Sequence, residues 1–239
     1  MVAVDKSETC LSLTSSIITY IPPLALICMT PYIYAALILH AASLGLSIAG
    51  QATASAAAGV ASVALIGVVL TRTHRELEDL KNAYWDRLAG VWLGAEYTAA
   101  IWLFVLSGVG TQLLSAFLWL QLTSLFPAVM PGEVQITSPE EVGRFLGVGA
   151  LALGVFALAL VWFAAWVYLI DVFTRDLYLV RVATGSVGFR PFSATFYVII
   201  SLVTVGFLYF YWLYSVWRWI SQLKTSTKLP HSSQGPAAQ

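Results

Sequence analysis

Charge is what this sequence most lacks. It holds twelve basic and twelve acidic residues among 239, about 10% of the chain, where a soluble domain would carry roughly a quarter. The rest is 59% hydrophobic with a mean hydropathy of +0.81, more apolar surface than one globular core of this length can withdraw from water. A water-soluble monomer is excluded. The missing charges are also contiguous. No Asp, Glu, Lys or Arg lies between Glu8 and Arg72, between Glu96 and Glu133, between Arg144 and Asp171, or between Arg190 and Arg218. Each gap is at least as long as the ~20 apolar residues that cross a bilayer as one helix.

Other shortages narrow the function. Formal net charge is zero, so no basic field attracts nucleic acid. The two cysteines, Cys10 and Cys28, have no spacing for zinc or a redox pair and read as small apolar residues. Asp5, Lys6 and Glu8 do not make the positive start of a secretory signal, so the first apolar block is expected to stay in the mature chain. HExxH, Gly-x-Ser-x-Gly and the P-loop are absent. The expectation is a non-enzymatic protein without cofactor or metal, whose partners are membrane lipids and other membrane subunits or a second copy of itself.

What is present divides into helices. The composition predicts an all-α, polytopic transmembrane bundle of about six spans, with five or seven the neighbouring counts, in one membrane domain over residues 1–224 of the cell membrane. Thr30-Pro31 resembles an N-cap followed by proline at the first helical position, and Ala49-Gly50-Gln51 offers a polar turn. Spans are expected near 31–49 and 52–71. Residues 11–29 allow three readings: a third crossing, a kinked extension of the first, or a helix in the interface. Residues 72–88, with Leu77, Leu80, Tyr84 and Leu88 at helical spacing, predict an amphipathic cytoplasmic helix continuing the preceding span. Gly108-Val109-Gly110 suggests a tight turn between spans at 89–107 and 111–128. Ser138-Pro139-Glu140-Glu141 is a helix start before a span at 145–170. A last span is expected at 192–217, followed by a disordered tail over 225–239. With six spans and both termini cytoplasmic, basic residues divide nine inside to three outside, the three being Arg175, Arg181 and Arg190.

Few residues are candidates for chemistry. Glu96 is the one acid expected inside a span, where a carboxylate at the membrane centre costs about 2.5–3.5 kcal/mol, so it suggests a proton or ion site or a carboxylate bonded to a neighbouring helix. His40, with Ser43 and Ser47 on the same face, marks a polar stripe toward the bundle, and a His40–Glu96 relay is its functional version. Arg175 and Arg181, alternating in sign with Asp171 and Asp176, are candidates for a lipid headgroup or a solvated helix end. Trp217, Arg218 and Trp219 form an aromatic and basic belt at headgroup level. Small residues line one face of two spans, Ala52, Ala56, Gly59 and Gly67 on one and Gly147, Ala150, Gly154 and Ala157 on the other, where helices are expected to touch. An accessory or scaffolding subunit of a membrane complex follows as the leading expectation. A small transporter or channel using Glu96 is the alternative.

The run Thr204-Val205-Gly206 leading into Tyr211-Trp212-Leu213-Tyr214 resembles the C-terminal signature of an uncharacterised prokaryotic and archaeal multi-span membrane family. Arg72-Thr73-His74-Arg75 matches that family's basic helix loosely, and Phe207-Leu208-Tyr209 departs from its Gly-Ile-Tyr order. The resemblance covers about 25 residues. It implies membrane location and transfers no site residue.

Overall fold

The computed structural model describes residues 22–84, 97–125, 139–185 and 192–227. All regular structure among them is helical: α1 Pro22–Ile48, α2 Ala52–Ala83, α3 Tyr97–Leu125, α4 Pro139–Thr184, α5 Ala194–Val203 and α6 Phe207–Thr227. Four of these helices, α1 to α4, are long and apolar enough to cross a membrane, against the six spans expected.

Two of the expected boundaries lie inside helices. Pro31 is interior to α1, which begins instead at Pro22, where the first turn needs no amide donor. Met29, Ile33 and Ala36 are buried along one side of the helix and hold it through the proline. Gly108-Val109-Gly110 does not turn. It sits within the continuous α3, because a Cβ on Gly108 would stand 2.8 Å from Trp162 Nε1 and 3.0 Å from Val63 Cγ1. The glycine admits neighbouring helices rather than reversing the chain. In the other direction, 192–217 is two helices and not one span.

That break and the α1–α2 turn share one hydrogen-bonding pattern. After α1, Gly50 adopts φ +75°, Gln51 N–H donates to Leu46 O at 2.9 Å, and Gly50 N–H donates to Ser47 O at 3.0 Å. After α5, Val205 takes the left-handed position at φ 52°, Gly206 N–H donates to Ser201 O at 2.7 Å, and Val205 N–H donates to Leu202 O at 3.2 Å. Both are Schellman terminations that satisfy the last carbonyls of a helix. Thr204 Oγ1 then accepts from Leu208 N–H at 3.2 Å, starting α6.

The chain forms two compact units where one domain over 1–224 was expected. The apolar unit comprises Ala35–Val68 and Glu96–Leu169. Within it α1 and α2 are antiparallel, pinned by Ser43 Oγ donating to Ser55 O at 2.9 Å, Ser55 Oγ to Ser43 O at 2.8 Å, and Ser62 Oγ to Ala36 O at 2.8 Å. Helices α2 and α3 are antiparallel too: Gly59 faces Gln112 and Gly67 faces Val105. Between α3 and α4, Gly108 meets Trp162 and Gly110 meets Leu158, again antiparallel. Consecutive helices therefore run up, down, up, down.

The polar unit gathers Val69–Ala95 and Ile170–Gln239 with the chain up to Tyr34. Here α2, α4 and α6 each bury a stripe at alternating three- and four-residue spacing. The stripes are Leu70, Thr73, Leu77 and Leu80; Phe173, Leu177 and Val180; and Leu213, Val216, Ile220 and Leu223. This is the seam spacing of packed helices, which soluble and membrane bundles share. The 32 residues of α2 measure about 48 Å at 1.5 Å per residue, longer than a ~30 Å hydrocarbon layer, and its apolar part ends at Thr71.

Candidate functional site

The two small-residue faces have opposite fates. On α2 the face is filled: a Cβ on Gly59 would lie 2.6 Å from Gln112 Cδ, and one on Gly67 would lie 2.5 Å from Val105 Cγ2. On α4, Gly147, Ala150, Gly154 and Ala157 are all exposed, and a Cβ on Gly147 or Gly154 would meet no described atom within 4 Å. Half of the most apolar stretch of α2 is buried, against 6% of that of α4. Helix α4 thus leaves its small-residue face open along with most of its apolar stretch, and α1 and α3 are 17% and 22% buried over theirs.

Beside this face, α3 and α4 diverge into an open cleft of about 650 Å³, lined by Phe117, Gln121, Ser124, Arg144, Gly147, Val148 and Leu151. A smaller hollow of about 360 Å³ adjoins the α1–α2 turn, between Gly50–Ala54 and Trp119, Leu120 and Thr123. Every described lysine and arginine other than Arg144 lies in the polar unit. In the sequence Arg144 is the one basic residue between Arg87 and Arg175.

Of the expected intramembrane polar pair, Glu96 lies outside the described residues. His40 is half-buried on α1. Its stripe is split, since Ser43 is buried and bonded to Ser55 while Ser47 is exposed. The first serine packs helices and the second faces outward.

The polar unit corrects the headgroup belt. Trp217 is 2% exposed and Trp212 is fully buried. Both fill the bundle interior because they fall on the inward stripe of α6 with Leu213, Val216 and Ile220. Trp219 is half-buried and Arg218 exposed, so only the outer face of α6 is free to meet a surface. Lys224 pairs inward with Glu76 and, at 3.8 Å, with Asp79. Arg175 is exposed and Arg181 half-buried. Asp176, expected on a solvated helix end, is completely buried, with Arg175 Nε 3.5 Å from its Oδ1.

Its neighbour Thr174 accepts a hydrogen bond from Trp212 Nε1 at 3.2 Å. Across the unit on α2, beyond the apolar part of that helix, burial holds the imidazole of His74 below its ordinary 6.5. Glu78, 3.9 Å away, opposes the shift, Arg75 reinforces it and Asp176 opposes it. Among the described residues no group of three or more His, Cys, Asp or Glu side chains converges as a metal site.

No protein-family model matches the chain, and no curated protein or solved structure matches it either. The class defined by fold and site is an all-α protein with four helices long and apolar enough to cross a membrane.

Proposed function

We propose that this is a multi-pass protein of the cell membrane that acts by assembly, as an accessory or scaffolding subunit, with α4 as its docking helix. The observation that carries the reading is the unfilled face of Ala150, Gly154 and Ala157. Where association in lipid rests on close backbone approach, such a face offers room for a partner helix while the glycines of α2 are already used internally. The C-terminal resemblance to a multi-span family points to the same compartment.

Charge supports a four-crossing topology. With the N-terminus cytoplasmic, the polar end of α2, the end of α4 and everything after it fall on the cytoplasmic side, including Arg175, Arg181 and Arg190. Arg144 is then the one lysine or arginine left outside. The positive-inside rule is obeyed far better than by six crossings, which leave three outside.

The test is isolation in mild detergent from the native membrane. The wild-type chain is expected as a defined complex, or as a homo-oligomer, that Gly154→Leu dissociates without lowering the thermal stability of the chain itself. A monodisperse monomer with no companion, unchanged by Gly154→Leu, overturns the reading. The transporter alternative rests on Glu96 alone. Proteoliposome flux abolished by Glu96→Gln is the result that would put it first.

A further inference from the structure

We infer that the α3–α4 cleft is a binding site for a membrane phospholipid, held by its phosphodiester on Arg144 with acyl chain laid along the inner cleft. The inference rests on the membrane location proposed above and not on assembly. Its basis is a polarity gradient built independently on two antiparallel helices. On α4 the lining runs from Arg144 through Gly147 and Val148 to Leu151, and on α3 from Ser124 through Gln121 to Phe117. Each helix therefore passes from charged or hydrogen-bonding to apolar over seven residues, about 10 Å of helix axis. The polar ends coincide because the helices are antiparallel.

A free anion would need only the rim and a hydrocarbon only the interior. An amphiphile with a phosphate at one end uses both. The guanidinium supplies paired donors matched to phosphate oxygens, and Gln121 and Ser124 line the same cleft, the Ser124 hydroxyl donating to Gln121 O at 2.8 Å. Gly147 matters because its missing side chain leaves the cleft open between headgroup and chain, with no described atom within 4 Å of where a Cβ would be. The lining favours no particular headgroup beyond the phosphodiester.

The test is native mass spectrometry of the full chain, delipidated in detergent and titrated with defined lipids. Dioleoyl phosphatidylglycerol and dioleoyl phosphatidylethanolamine are both expected to give a tightest adduct at similar concentration. Dioleoylglycerol, which lacks the phosphate, and inorganic phosphate, which lacks the chains, are expected to need at least tenfold more. Arg144→Gln should weaken the phospholipid adduct about tenfold or more, Arg144→Lys should recover part of it, and Gly147→Leu should weaken it with the arginine intact. Equal retention by Arg144→Gln, or equal binding of dioleoylglycerol, overturns the site. Competition by millimolar inorganic phosphate alone reduces it to a simple anion site and overturns the lipid assignment. Arg144 is exposed, so the glutamine variant should unfold at the wild-type temperature. A membrane-inserted protein that takes up no lipid defeats this inference and leaves the assembly reading standing.

Discussion

Trp212 Nε1 donates to Thr174 Oγ1 across 3.2 Å, joining α6 to α4 where both side chains are buried. The indole also meets Phe173 edge-on at 6.2 Å and stacks on Tyr209 at 5.3 Å. The indole is fully buried within the polar unit. Thr174→Val keeps the shape and removes the acceptor, stranding a buried N–H at a cost of about 1–3 kcal/mol. Thermal unfolding in detergent, followed by tryptophan emission, should show a lower midpoint for Thr174→Val and near wild-type behaviour for Thr174→Ser. An unchanged midpoint for the valine variant would show that the bond contributes nothing.

The bend between α5 and α6 places a β-branched residue where glycine belongs. Val205 has φ 52°, and a left-handed conformation costs an L-residue roughly 1–2 kcal/mol. Glycine removes that strain but gives back some stability through a more flexible unfolded chain. Val205→Gly is therefore expected to raise stability by up to about 1 kcal/mol. A fall in the unfolding midpoint would contradict the bend geometry.

The two glycines of α2 should respond differently to alanine. At Gly59 the obstructing atom is the far end of the Gln112 side chain, which can swing aside. At Gly67 it is a methyl of Val105, stiff about its first torsion. Gly59→Ala should be nearly neutral, with the better helix propensity of alanine offsetting the displacement. Gly67→Ala should destabilise by about 1–3 kcal/mol through overpacking. Parallel melts of the two variants check the ordering, and equal effects would refute it.

His74 gives the polar unit a defined pH response. Burial holds its folded pKa below the ordinary 6.5, so the folded state favours the neutral ring. The stability this contributes is present above pH 6.5 and is lost as pH falls toward the folded pKa. Between pH 7 and 5 the wild type should lose stability more steeply than His74→Gln. Identical slopes in denaturant titrations at the two pH values would remove the histidine from the account.

Much of the fold was legible because it follows from length and polarity. The turn at Ala49-Gly50-Gln51 could be read locally, since a left-handed glycine ends a helix whatever lies around it. Gly108-Val109-Gly110 was misread because a glycine that turns a chain and a glycine that admits Trp162 and Val63 look alike in sequence. Thr30-Pro31 failed for a similar reason: buried neighbours on α1 outweigh one missing backbone bond. Arg144 was visible as an isolated cation, yet its cleft was not, because the cleft is a gap between two helices and belongs to neither.

By itself the sequence determined that the chain is helical and suited to a membrane. Those properties depend on how many apolar residues follow one another, and a count along the chain settles them. Only the tertiary structure decided that the glycines of α2 are filled while those of α4 are open, that Trp212 and Trp217 point inward, and that Asp176 is buried. Each of these depends on what stands opposite a given helix face. Identical local patterns acquire different roles when one face meets a neighbouring helix and the other meets none.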